Sequence, residues 1–463
     1  MRKKRSLVLA SLLSCTLALT ACGGSGGNGQ QPPASDTAAN KDTAANKGAT
    51  ETKEPAKKEL SGELTFWTFG AGDGMEKFYA SFSKAYPKVK VNTQILAWDE
   101  IQKNLKTTIA AGTGGPDVVM TGSDWLAPLN MTAGVENLLD PPYNAGDLKD
   151  MWTDANWNHW LSLDGKKLIG LPWDSSPTLA FYRSDILEEN GFPSDPKELA
   201  TYMSKPEQFM DMAQALKAKD IYLLEFNRTI VDMYASGDGF FDRNLNYLRN
   251  TDKYVEALKL AQQVKQLGLA FNNSAFWSDP GKQAVASGKL AMVYYGQWIM
   301  GAIQDAAPDS VGKWRVTHLP FGQAIAASGS TLAILSQSKN KELAWEFVKF
   351  LLASDEGQKA WVEGGGSPGY KPAWSSSQFK DFTTPLTGDQ KINEIGAEAM
   401  EKSTASTVST PLDAKASEIW NKGIDDAIEK NKDPKAAIQQ IADDIERAVK
   451  SDKDKLKADL GIK

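Results

Sequence analysis

The chain has 463 residues, 41% hydrophobic and 24% charged, with a formal net charge of −6; that length suggests two or three domains' worth of a soluble α/β protein, and the acidic balance argues against nucleic acid as a partner. Its two cysteines, Cys15 and Cys22, both lie in the first 22 residues, which excludes a disulfide framework or thiolate metal site in the folded part. The two histidines, His159 and His318, stand in unrelated contexts, so neither metal nor cofactor is expected.

In chain order, residues 1–5 (MRKKR) are basic, residues 7–19 are largely apolar, and Leu19-Thr20-Ala21-Cys22 follows. The apolar run is too short to span a bilayer and reads as a cleaved leader. Its end is similar to the bacterial lipobox, which implies a lipid on the Cys22 thiol and a mature chain beginning there. Loss of Arg2, Lys3, Lys4 and Arg5 would take the net charge from −6 to −10. An ordinary secretory peptide with an incidental cysteine is the alternative. Residues 23–60 carry almost no aliphatic bulk and contain DTAANK twice; such a stretch cannot offset chain entropy by burial and is expected to be a disordered tether.

The globular part opens with LTFWTFG (64–70), a strand, then a helix to about 85, an alternating strand at 89–95 and a helix at 99–111. GTGGPDVVM (112–120) stops that helix and begins a buried strand, in which Asp117 reads as structural. Strand, helix, strand in this succession predicts a parallel sheet with right-handed crossovers. Residues 137–160 are irregular and aromatic. GKKLIGLP (165–172), WDSSP (173–177) and TLAFYR (178–183) read as strand, polar linker and strand, with a plain hairpin as the alternative. An amphipathic segment at 206–219, a strand at 221–226, a glycine-flanked loop at 234–239 and a helix at 252–267 come next.

Residues 287–300, SGKLAMVYYGQWIM, are the most telling stretch. Asp279-Pro280 has helix-start chemistry and Gly288 stands where a helix closes with positive φ. Residues 289–295 then form a short apolar strand, broken by Gly296. A new helix beginning at Gln297-Trp298 would set an indole and unpaired backbone N–H groups at a sheet's C-terminal edge, where open α/β sheets bind ligands. A core strand whose Trp merely packs is the other reading. Residues 314–320 and 328–334 are further strands, 341–353 and 356–362 are helices, and the tail from 412 to 460 is helical, with Pro434 opening its last helix.

These motifs, together with SDEGQKAW (354–361) and GGGSPGYK (364–371), closely resemble family 1 extracellular solute-binding proteins, the receptors of sugar ABC importers, over nearly all of the chain from residue 61. The resemblance implies a two-lobed α/β periplasmic-binding-protein-like fold (type II), two sheets flanked by helices and joined by a hinge, with ligand held between the lobes. It puts residues 61–172 and 314–370 in an N-terminal lobe and 173–313 and 371–463 in a C-terminal lobe. It implies cleft positions for Trp67 and Thr68 after the first strand, Asp124 and Trp125 after the third, Trp173, Asp174 and Ser176 at the first crossing, and Asp238 in the 234–239 loop. Trp277 joins the wall of Trp298, and Gly366 lies in a loop offering backbone N–H groups.

Chemistry supports that set: indole faces stack on the C–H patches of sugar rings, and carboxylates accept hydroxyl protons. Each carries a structural reading as well. Asp124 suits an N-cap, Asp238 a turn, and most of the 14 tryptophans plain core packing. The function implied is a membrane-anchored, extracytoplasmic binding component of an ABC importer, monomeric and not an enzyme. Partners would be a sugar, permease subunits and, through Cys22, the outer face of a membrane. The alternatives are an anchored glycosidase using Asp124 and Asp174 as a carboxylate pair, and a scaffold lipoprotein without a small ligand.

Overall fold

Leu64, Phe66 and Thr68 alternate along β1 (Gly62–Thr68) and are all buried, which seats that strand inside a sheet rather than at its rim. The computed structural model describes residues 59–70, 73–122, 133–174, 176–272, 274–327, 329–403 and 408–462. Helix Asp73–Ala85, β2 (Val89–Ile95), helix Trp98–Ala111 and β3 (Val118–Gly122) follow, and β1 pairs parallel with both β2 and β3. Gly112 closes the second helix at φ +66°. Asp117 is structural, accepting from the Thr65 N–H at 2.8 Å and the Ser338 hydroxyl at 2.6 Å.

Two more strands extend this sheet beyond the parallel part expected: β9 (Ser330–Ile334) pairs antiparallel with β3, and β4 (Leu171–Pro172) pairs antiparallel with β9, so β9 alone is reversed. The order is β2-β1-β3-β9-β4. Helix Lys341–Ala353 lays Phe347 edge-on against Phe66 and Phe82, at 5.3 and 5.0 Å between ring centres. Burying each such ring contributes about 1.5–3 kcal/mol before entropy is counted.

In the second sheet β5 (Ser176–Arg183) is central, flanked antiparallel by β6 (Met292–Tyr295) and β7 (Trp314–Thr317), with β8 (Ile325–Ala327) also on β5. Residues 314–327 therefore belong to the second sheet, not to the first lobe as expected. A short apolar strand fits either sheet, and only its pairing partner decides. The strand expected at 221–226 is reduced to isolated bridges, Tyr222 to Leu290 and Leu224 to Ala270. Tyr182 and Phe181, neighbours on β5, face separate cores. Behind one of them, helix Asp252–Leu267 packs against helices Asp413–Glu429 and Pro434–Leu460, with Trp420 edge-on to Tyr254 at 5.2 Å. Asp433 caps the last helix through the Ala436 N–H, and Pro434 opens it as expected.

The chain passes from β4 to β5 and from β8 back to β9. Those passages meet at Asp174, whose Oδ1 accepts from the Ser330 N–H at 2.5 Å and whose backbone bridges Pro368. No helix among the described residues is long and apolar enough to cross a membrane.

Candidate functional site

Local sequence sets the central side chain. Helix Asp279–Ala286 is N-capped by Ser278, and Gly288 leaves it at φ +75°, as expected. The chain then enters β6 and turns at Gly296 into helix Ile299–Ala306, whose N-cap is Trp298. The N–H groups of Ile299 and Met300 are already taken by the carbonyls of Gly296 and Gln297, so this helix start offers the indole rather than free donors. Trp298 is 56% exposed and Trp277 50%. Their rings lie 5.8 Å apart at 15°, and Tyr295 meets both edge-on. Together they form an exposed apolar patch on one wall.

Trp298 lines two cavities. The first, about 480 Å³, is walled by Gly74, Met75, Asp174, Gln297, Gln304, Trp361 and residues 364–367. It therefore lies between segments packed on the first sheet and segments packed on the second. The second cavity, about 380 Å³, is walled by Thr178, Glu225, Phe226, Thr229, Asp232, Ser236 and Tyr295.

The carboxylates in these walls differ in their surroundings. Burial pushes Asp174 up to about 6, against the pull of the Ser330 N–H. Burial likewise raises Glu225, although the Phe276 N–H at 2.8 Å and the Tyr295 hydroxyl at 3.1 Å favour its charged form. Asp232 is raised by burial and opposed by Arg228, which also binds Asp425 at 3.0 Å. Among the described residues no group of three His, Cys, Asp or Glu is placed to hold a metal ion.

The expected residues sort unevenly. Trp298 and Trp277 come together, and Asp174 and Gly366 line the first cavity. Trp67 is half-buried against the first core. Asp124 and Trp125 lie outside the described residues; Ser176 opens β5, its side chain outside the description.

Four expectations need correction. Trp173 is only 1% exposed, packed against Phe78 at 5.2 Å and Trp361 at 5.5 Å, because β4 turns it inward; its faces are unavailable for stacking. Thr68 is fully buried, its hydroxyl spent on Tyr79 at 2.8 Å and the Gly70 N–H at 3.0 Å. Asp238 is held by Lys253 at 2.8 Å and Tyr254 at 2.7 Å, both on helix Asp252–Leu267, and lines neither cavity. The N–H groups of Gly364, Gly365 and Gly366 bond back to carbonyls of helix Asp355–Glu363, so this loop is a wall and not a donor set. Gly366 is required for close approach: a Cβ there would come within 2.0 Å of the Trp361 ring.

Glu225, Trp361 and Trp98 were not anticipated. Glu225 carried a signal, a carboxylate ending the apolar run 221–224, which a strand reading passes over. Trp98 is exposed at the C-terminal edge of the first sheet, edge-on to Phe69 at 4.5 Å, and sits so close over Gly122 that a Cβ would meet its ring at 2.4 Å.

The description "Bacterial extracellular solute-binding protein" matches residues 77–387. The arabinooligosaccharide-binding protein of Bacillus subtilis is 28% identical, covering 83% of this chain and 92% of its own. The lactose-binding protein of Rhizobium radiobacter is 26% identical over 64% of this chain and 72% of its own. Among solved structures, the ABC transporter associated binding protein of B. animalis subsp. lactis in complex with β-1,6-galactobiose superposes with a TM-score of 0.68 at 21% identity, covering 85% of this chain and 99% of that one. That likeness shows the fold: two α/β lobes of the type II periplasmic-binding kind.

Proposed function

The chain belongs to the bacterial extracellular solute-binding proteins, and on that premise we propose that it is the extracytoplasmic binding component of an ABC importer, capturing an oligosaccharide between its lobes. The observation that carries this reading is the Trp298 indole, more than half exposed and lining both cavities. A sugar needs such a surface, flat and apolar on one side with hydroxyl partners at its edges. Glu225, Thr178, Thr229 and Gln304 supply those partners. The names of the relatives, which bind arabinooligosaccharides and lactose, point to the same ligand class.

The protein acts by closure and not by chemistry: the lobes shut on the sugar, and the permease subunits engage the closed form. Lipid on Cys22 holds the chain at the outer membrane face, and residues 23–60 act as its tether. Isothermal titration against neutral mono- and oligosaccharides tests the reading. Saturable binding to at least one is expected. A folded protein that binds none of them, or that releases hydrolysed product on long incubation, would refute it.

A further inference from the structure

Resting on that reading, we infer that the ligand is a glycan of at least two units that straddles the Trp298 side chain, and that acidic glycans are rejected. The two cavities share Trp298. At about 480 and 380 Å³, each alone falls in the range of roughly 300–1,000 Å³ usual for a small-ligand site. A single sugar fills one side of the ring and leaves the other to water. Only a chain of units uses both.

Charge sets the second half of the inference. The ionic side chains lining the two cavities are all acids: Asp174 in the first, Glu225 and Asp232 in the second. Among the described residues no Lys, Arg or His lines either. Arg228, the nearest cation to Asp232, is held by Asp232 at 2.9 Å and Asp425 at 3.0 Å. Residues 71–72, 123–132, 175, 273, 328 and 404–407, which lie outside the described residues, contain no Lys, Arg or His either. A uronate or sugar phosphate would bring negative charge to a wall that carries three acids and, among the described residues, offers no cation to pair with it, and closure would remove the water that screens it. Glu225 already takes two donors, the Phe276 N–H and the Tyr295 hydroxyl. Held in that way, it is suited to accept one more neutral hydroxyl proton.

The test titrates the full chain with galactose, galactobiose and galactotriose, with arabinose and arabinotriose, and with digalacturonate and trigalacturonate. The expected result is that a neutral oligosaccharide binds, that its monosaccharide binds at least 100-fold more weakly, and that the galacturonates bind at least 100-fold more weakly than the neutral oligomer. In Glu225→Gln, the ratio of neutral to galacturonate affinity should fall by tenfold or more. A monosaccharide matching its oligomer, or a galacturonate oligomer binding within tenfold of the neutral one, overturns the inference and leaves the receptor reading standing. Failure of every sugar sinks the receptor reading itself.

Discussion

Trp277 lies nearly parallel to Trp298, with 5.8 Å between ring centres and 15° between planes, although 20 residues of chain, including a helix and a strand, separate them. Trp298 lines both cavities and Trp277 lines neither. Phe276 and Tyr295 hold Trp277 edge-on, at 5.0 and 6.1 Å. Trp277 thus backs Trp298, the ring proposed to meet the sugar.

Trp298→Ala should weaken sugar binding by roughly 30-fold or more, the cost of about 2 kcal/mol typical for truncating a central tryptophan. Trp277→Ala should cost several-fold less, because it loosens Trp298 without removing it. Titration of both variants decides; equal losses would show that Trp277 touches sugar directly.

Trp173→Ala should lower unfolding stability by about 3–5 kcal/mol, the range for emptying a large aromatic site in a core. Trp173→Phe should retain sugar affinity within a few-fold, since the indole is packed against Phe78 and Trp361 and not exposed. Denaturant melts and titration on the same preparations separate the two effects.

Gly366→Ala should cost about 1–3 kcal/mol through overpacking, since the added methyl would fall 2.0 Å from the Trp361 ring. A lower denaturation midpoint is the expected reading. An unchanged one would mean the loop shifts freely.

Asp174 gives a pH dependence with a definite sign. Its pKa rises from 3.8 to about 6 on folding, with burial the main cause. The protonated form therefore favours the folded state. That contribution is complete below about pH 4 and is lost as pH rises through about 6. Relative to Asp174→Asn, the parent protein should lose stability over that window. Superimposable pH profiles would show that the carboxyl keeps an ordinary pKa.

Cys22→Ala should release the protein from the cell envelope into the medium and remove any lipid mass from its N-terminus, as expected when anchoring depends on acyl chains. Retention of that variant at the membrane would put the anchor elsewhere.

Much of the fold was legible because its signals are local. Gly112 and Gly288 end helices with positive φ, Pro434 opens one, and the alternation in 64–68 places β1. Asp238 was not legible, because the lysine and tyrosine that claim it stand on a helix one loop further on. β7 was misplaced for a related reason: an apolar strand does not say which sheet it will join.

The amino-acid sequence by itself determined the succession of strands and helices from β1 to β3, the resemblance to the family, the acidic balance, and Trp298 as the indole to watch. Only the tertiary structure decided that Trp173 is core while Trp298 stays open, and that Glu225 shares a cavity with it. Helix caps and turns depend on neighbours within a few residues. Exposure depends on every segment that packs nearby, and around Trp298 those segments come from residues 74 to 384 of the chain.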